Sequence, residues 1–532
     1  MSYFPTALQL KTEQEAQRIL VNGELPQATE TLAYVDNNND EWHRRCARVL
    51  SLAVLAGQML CRDKNGTRLY SHVGLYQPHG MGRGHFLHWL YHSDVMPRAK
   101  KGDRDAFSMA IRDDVSSAAL LGSITSEGEI KPPPLLQDVI IVEEYATLFK
   151  SGEDLSACIR KCQEEGSFTR DLVKFKMIKD ILQRGAWANK QLATGKFKNE
   201  KNILELAEIA DKAEKMQEEI DRWRKRGLFI DLSSGKMTVR THASWIISSG
   251  RFGDTVKTKP LLTLGDLDRY VWVSSVPSIE ERKDIVRKVG LFPPKEACAY
   301  EPNSVALAWL RLKRAMEKFR EKDRAIEIPR TSEANEMMKK YWDETLTGAM
   351  KEYGDQIQEQ HLEQMITNRY AAEFIRVAYQ HATLMQFKRN SNFHDSKAEF
   401  LGPYDEDFAF ARDMFLSEYI SSFIEVINDV NRTWVTALAH RERDETRREE
   451  RAKKDQNLIL EAFRKIGAKD MLILDLFKTV QSLGGPSSYV GFWKLLERAS
   501  ARGLIEKSHP APNNPVKVTL TKSGAEAVAQ TH

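Results

Sequence analysis

The chain has 532 residues, 42% of them hydrophobic and 29% charged, with a formal net charge of +4. That length exceeds a single core and suggests about three domains. No apolar run approaches the roughly 18 residues of a membrane-spanning helix, and the net charge is too mild to imply nucleic acid by itself. The start, Met1 to Thr6, lacks a signal-peptide pattern. The expectation is therefore a cytoplasmic protein, nucleoid-associated or nuclear in a eukaryote, with no membrane partner. Five cysteines (Cys46, Cys61, Cys158, Cys162, Cys298) are odd in number and contain no Cys-x-x-Cys pair. They support neither a disulfide framework nor a zinc ribbon, and no metal-ligand cluster is read elsewhere.

Residues 1 to about 40 carry an amphipathic segment, Ala7 to Leu20, and a polar linker ending at Asp40. From Glu41 the spacing of Ala47, Leu50, Ala53 and Val54 predicts a helix. The run Val73 to Tyr76 then reads as a strand leading into a Gly-rich turn, Gln77-Pro-His-Gly80-Met-Gly82-Arg83-Gly84, and an apolar helix. Strand, loop and helix in that order predict a phosphate-binding loop. A working loop ends Gly-Lys-Ser/Thr, so that an ammonium reaches the phosphates and a hydroxyl holds Mg²⁺; here Arg83 and Gly84 stand in those places. Backbone N–H groups of Gly80 to Gly84 are still able to hold a phosphate. About 60 residues past Arg83 comes Asp138-Val-Ile-Ile-Val-Glu143-Glu144. A buried strand of this type delivers carboxylates at its C-terminal end, with Glu143 towards a metal and Glu144 as general base to water.

These features resemble the AAA+ core of the minichromosome maintenance (MCM) helicases, in which a helix precedes the loop, Pro-Arg follows it (here Pro97-Arg98), and an acid pair lies downstream. The stretch Thr367-Asn-Arg369-Tyr-Ala-Ala-Glu-Phe-Ile375-Arg376-Val-Ala378-Tyr-Gln-His381-Ala382 resembles the family's sensor 2 helix, and Tyr404-Asp-Glu-Asp407 its acid-led lid helix. The resemblance spans about residues 41 to 425. It implies an α/β fold: a parallel sheet, a helical lid, ATP with Mg²⁺ as cofactor, DNA as partner, and a homo- or hetero-oligomeric ring. By position it implies Arg269, in Leu264-Gly-Asp-Leu-Asp-Arg269, as an arginine finger two residues from the family's place, and Ser249, ending Trp245-Ile-Ile-Ser-Ser, for the sensor 1 asparagine. With Arg369 and the two glutamates these complete an intersubunit site. No loop lysine, no loop hydroxyl, Glu for Asp and Ser for Asn together point to lost or weak hydrolysis.

The resemblance also implies a channel-lining hairpin, with Glu165 to Arg170 as its first arm and Phe229 to Val239 as its second. Lys236 beside Gly235 is then the residue facing DNA. Between the arms an insertion at about 171–227 is longer than in the family. It opens with Lys174, Lys176, Lys179, Arg184, Lys190, Lys196, Lys198 and Lys201 around Trp187, then becomes an acid-rich helix. Such a basic stretch suits a phosphate-tracking surface or a plain solvent face.

The expected domains are a helical segment at 1–40, an α/β core at 41–280, a helical lid at 281–430, a charged linker helix at 431–455, and a winged helix at 456–532. Within the last, helices at 457–465, 471–483 and 487–502 precede a hairpin. Lys494, Arg498 and Arg502 recur along one side of the third helix, and Lys507 and Lys517 flank the wing, as for a helix entering a DNA major groove. Three functions stay open: a pseudo-ATPase that binds DNA, an active helicase subunit with a modified loop, and a helical regulator with no AAA+ module.

Overall fold

The computed structural model describes residues 7–37, 41–63, 68–77, 83–92, 96–97, 106–112, 120, 122–124, 130–131, 133–143, 153–171, 175–195, 200–250, 269–275, 280, 283, 299–319, 326–328, 331–357, 370–429, 457–508 and 516–530. The chain divides into two compact units, Met1–Asn431 and Arg432–His532.

The larger unit opens with helices α1 (Ala7–Asn22), α2 (Leu25–Asn37) and α3 (Glu41–Leu50), the last running on through a buried π-helical turn, Ser51–Ala56. Then follow β1 (His72–Tyr76), α4 (Arg83–His92), β2 (Met109–Arg112), β3 (Val139–Val142) and α5 (Glu153–Glu165). A three-strand excursion comes next: β4 (Ser167–Asp171), the helices α6 (Phe175–Thr194) and α7 (Glu200–Arg224), β5 (Leu228–Asp231) and β6 (Lys236–Arg240). The chain returns through β7 (Ser244–Ser249) and β8 (Tyr270–Ser274) to helices α8 (Pro302–Met316), α9 (Ser332–Ile357), α10 (Tyr370–Leu384) and α11 (Asp405–Met414), the last continuing helically to residue 429.

Five of these strands form one sheet in the order β8-β1-β7-β3-β2, every neighbouring pair parallel. Burial on both faces explains their sequences: β1, β3, β7 and β8 are buried throughout, so they read as near-continuous rather than alternating apolar runs. From β1 the chain crosses to one side of the sheet, and between β7 and β8 it returns to the other side of β1. The crevice beyond the C-terminal end of β1 is therefore a switch point, where open α/β sheets take ligands. The α/β class and the five-stranded parallel sheet of the AAA+ expectation are thus present, and a helical protein with no sheet around Val73 and Ile141 is excluded.

One apolar core joins the N-terminal helices, the sheet and the C-terminal helices; Ile19, Leu32, Val54, Ile141, Trp309, Phe374 and Phe415 all belong to it. Helix α8 carries Arg311, Lys313 and Arg314, and they are not all solvated. Lys313 is buried, donates to the Ala106 carbonyl at 2.8 Å and lies over the Phe107 ring, a tolerated burial because the ammonium keeps polar and aromatic partners. Cys158 and Cys162 are buried on α5; their mutual hydrogen bond and then burial push the Cys162 thiol up.

In the smaller unit, a helix at 457–466, β9 (Asp470–Leu472), α12 (Ile473–Ser482), α13 (Tyr489–Ala501), β10 (Ile505–Ser508), β11 (Lys517–Leu520) and α14 (Lys522–Gln530) surround a separate core of Ile459, Phe463, Leu476, Phe492 and Leu496. The three helices and hairpin expected here are present. The short strand β9 and the terminal helix α14 are additions, and β9 pairs with β11 to make a three-stranded antiparallel sheet. The charged linker helix expected at 431–455 lies outside the described residues. No helix among the described residues is long and apolar enough to cross a membrane.

Candidate functional site

Parallel register brings the Gly-rich turn and the acid strand to one edge. Gln77 continues β1 by donating its N–H to the Ser249 carbonyl (3.2 Å), and Glu143 continues β3 by donating to the Arg112 carbonyl (3.3 Å). Ser248 is in register with Leu75, and Ile246 with both Val73 and Ile141. Because side chains alternate along a strand, Gln77, Ser248 and Glu143 share one face, with Ser248 level with Glu143 and Gln77 two residues further along β1. Gln77 and Ser248 are fully buried. Among the described residues, neither atom of the Gln77 amide nor the Ser248 hydroxyl has a hydrogen-bond partner.

Helix α4 starts at this edge. Arg83 is its first residue, and its Nη1 lies 3.4 Å from the Gln77 carbonyl. Gly84 is exposed, and a Cβ added there would meet no atom of the described residues within 4 Å. One helical turn on, His88 Nε2 comes to 3.3 Å from Glu143 Oε1, and the His88 ring stacks on His92. Two more acids stand near the ends of β1 and β8 on the helix that follows α11: Asp429 accepts from the Tyr76 hydroxyl and Glu425 from the Ser274 hydroxyl.

The other predicted residues fall in several places. Gly80, Gly82, Glu144 and Arg369 lie outside the described residues. Ser249 is buried at the end of β7, but it shares the face of Tyr76, opposite to Glu143, and its hydroxyl donates to the Gly250 carbonyl at 2.9 Å. Arg269 immediately precedes β8, at the N-terminal edge of the sheet. There it is ion-paired with Glu164 of α5 and its side chain is only 12% exposed. That edge holds a polar network of its own. His72 accepts from the Trp245 N–H at 3.1 Å, and burial, then the charges of Arg376, Arg68 and Arg269, hold its pKa well below the usual value. Arg376 pairs with Glu373, which also accepts from the Ser71 hydroxyl, tying α10 to the start of β1.

Sequence reasoning missed Gln77, Ser248 and His88. Gln77 was findable: in the template Gly-x-x-x-x-Gly-Lys-Ser/Thr, counting back from Gly82 puts Gln77 in the place of the first glycine, which is one more departure. Ser248 needed the register, and His88 needed the approach of α4 to β3.

The excursion forms an antiparallel sheet in the order β4-β6-β5, so the two arms expected to pair do pair, Ser167 to Asp171 against Lys236 to Arg240. Lys236 is exposed at its tip, in register with Asp171 and Asp231. Gly235 has φ +70, which a glycine adopts without strain. Asp231 fastens the turn by accepting from the N–H and hydroxyl of Ser233 (2.9 and 2.6 Å) and of Ser234, and these bonds hold its carboxyl well below the usual range. Helices α6 and α7 pack closely, so that a Cβ added at Gly185 would come within 2.0 Å of the Ala213 Cβ, while Trp187 and Leu204 are exposed. In the smaller unit Lys494, Arg498 and Arg502 are exposed at i, i+4 and i+8 along α13 and its cap. Lys507 is half-buried over the Trp493 ring, and Lys517 is ion-paired with Asp470.

No family model and no curated protein matches the chain. Among solved structures it is similar to a candidate ATPase from Cytophaga hutchinsonii, at 12% identity and a TM-score of 0.33, over 78% of this chain and 90% of that one. A likeness this slight bears on neither fold nor function.

Proposed function

We propose that this protein is a DNA-binding subunit of MCM-like AAA+ ancestry that keeps a nucleotide site and has weak or no ATP hydrolysis, and that it acts in DNA replication or remodelling within an oligomeric ring. The observation that carries this reading is the convergence of the Gly-rich turn and the acid strand at the switch point of a parallel sheet. Changed residues at the loop's fixed positions support the loss of turnover. A guanidinium is bulkier than an ammonium and places its charge differently, so Arg83 is not a conservative stand-in for lysine at a tight phosphate site. Arg269 and Arg369 keep their proposed roles at a subunit boundary.

The test is DNA-stimulated ATP hydrolysis by the purified chain beside a Glu144→Gln control. The expected rate is indistinguishable from the control. Hydrolysis that disappears in the control defeats the pseudo-ATPase reading and favours the second one, an active helicase subunit with a modified loop, for which the retention of Glu143 at the end of β3 speaks.

For DNA, the supporting features are the exposed Lys236 at a hairpin tip and the exposed stripe of Lys494, Arg498 and Arg502 on the winged-helix-like unit. A Lys236→Ala, Lys494→Ala, Arg498→Ala triple variant is expected to lose about tenfold or more in affinity for duplex DNA. Its plot of log affinity against log salt should flatten by about 0.9 per lost phosphate contact. Fluorescence anisotropy across a salt series checks this, and unchanged binding moves the DNA surface elsewhere.

A further inference from the structure

We propose that the edge formed by Gln77, Arg83, Ser248 and Glu143 takes a nucleoside di- or triphosphate without a divalent cation; this rests on the nucleotide reading above and deepens it. The residues present do not fit magnesium. A phosphate loop holds that ion through the hydroxyl that ends the loop, and magnesium demands near-ideal octahedral oxygen coordination. Gly84 supplies no hydroxyl. The acid that would complete the shell is met instead by an imidazole, His88 Nε2 at 3.3 Å from Glu143. Positions 84 and 88 are one turn apart on α4, hence on the same side of the helix. The ring therefore stands on the side of α4 where a hydroxyl-bound cation would sit, and it brings nitrogen where the ion wants oxygen.

What the edge offers in exchange is a cation fixed in the chain and buried neutral hydrogen-bonding groups. Arg83 is always charged and presents several donors in a planar fork suited to phosphate oxygens. It stands at a helix N-terminus, where the backbone adds partial positive charge. Gln77 brings an amide whose two atoms are buried and have no partner among the described residues, and Ser248 a hydroxyl in the same condition. Native interiors leave few such groups unpaired, since each gives up its hydration and receives no hydrogen bond in return. Their placement on one face with Glu143, beside the start of α4, marks them as groups that a ligand completes.

Titration calorimetry of the full chain with ADP and with ATP, once in excess magnesium chloride and once in excess EDTA, tests the proposal. The two dissociation constants for each nucleotide are expected to agree within about twofold, and Gln77→Ala should weaken both by about tenfold. A Gly84→Ser, His88→Ala double variant should acquire magnesium dependence; no atom of the described residues lies within 4 Å of a Cβ placed at Gly84. Wild-type binding that weakens tenfold or more in EDTA overturns the metal-free inference and leaves the nucleotide reading standing. No binding of either nucleotide under either condition overturns both.

Discussion

Replacement of Asp407 by alanine is expected to destabilise the larger unit by about 3–5 kcal/mol, the cost of removing one partner from a buried charge cluster. Asp407 is fully buried as the third residue of α11, and three groups converge on it. Its Oδ1 lies 2.7 Å from His381 Nδ1 of α10 and 2.8 Å from Arg389 Nη2, while its Oδ2 accepts the Tyr404 N–H at 2.7 Å. Alanine would strand the backbone donor that opens α11 and leave Arg389 with Glu406 on the solvent side. It would also free the His381 ring, which stacks on Phe410 at a centroid distance of 4.0 Å. Asp407→Asn keeps the shape and part of the hydrogen bonding, so it should fall between wild type and alanine. Urea melts followed by tryptophan fluorescence measure both, and an alanine variant within about 1 kcal/mol of wild type would show the cluster to be dispensable.

Trp272→Ala is expected to cost a similar amount, about 3–5 kcal/mol, through the cavity it leaves in the sheet's covering layer. Trp272 is fully buried on β8, and its ring lies across Gly74 of the neighbouring β1, where a Cβ would come within 2.4 Å of it. The glycine in the centre of β1 is therefore the space the indole occupies. Gly74→Val alone should cost about 1–3 kcal/mol by overpacking. The double variant should cost less than the sum of the two, because the valine side chain refills part of the hole. Simple additivity in that cycle would mean that the two positions do not share the volume.

The sheet was legible because its strands are buried on both faces: Val73 to Tyr76, Val139 to Val142 and Trp245 to Ile247 each form a largely apolar run too short for a helix. The pairing of 167–171 with 236–240 was legible only through family resemblance, since 64 residues of other structure intervene. The site was legible in part. Motif positions disclosed Arg83, Gly84 and Glu143, but which serine of the pair at the end of β7 faces Glu143 depends on strand register, which no local pattern carries. Nothing in the spacing of His88 distinguishes it from His85 or His92 until α4 is laid beside β3. Likewise, Lys313 reads as one more solvated charge in a basic helix, and only the tertiary contact with Phe107 and the Ala106 carbonyl makes it a core residue.

The two long helices that interrupt the excursion sheet have a mechanical consequence. By length α6 extends about 30 Å, and its outer part carries the exposed Trp187. It departs from the strand on one side of β6, and α7 leads back into the strand on the other side. The strand that begins with Lys236 is thus flanked by the strand that the helical pair leaves and the strand to which it returns, so a load on the far end of that pair reaches the lysine's strand through both neighbours.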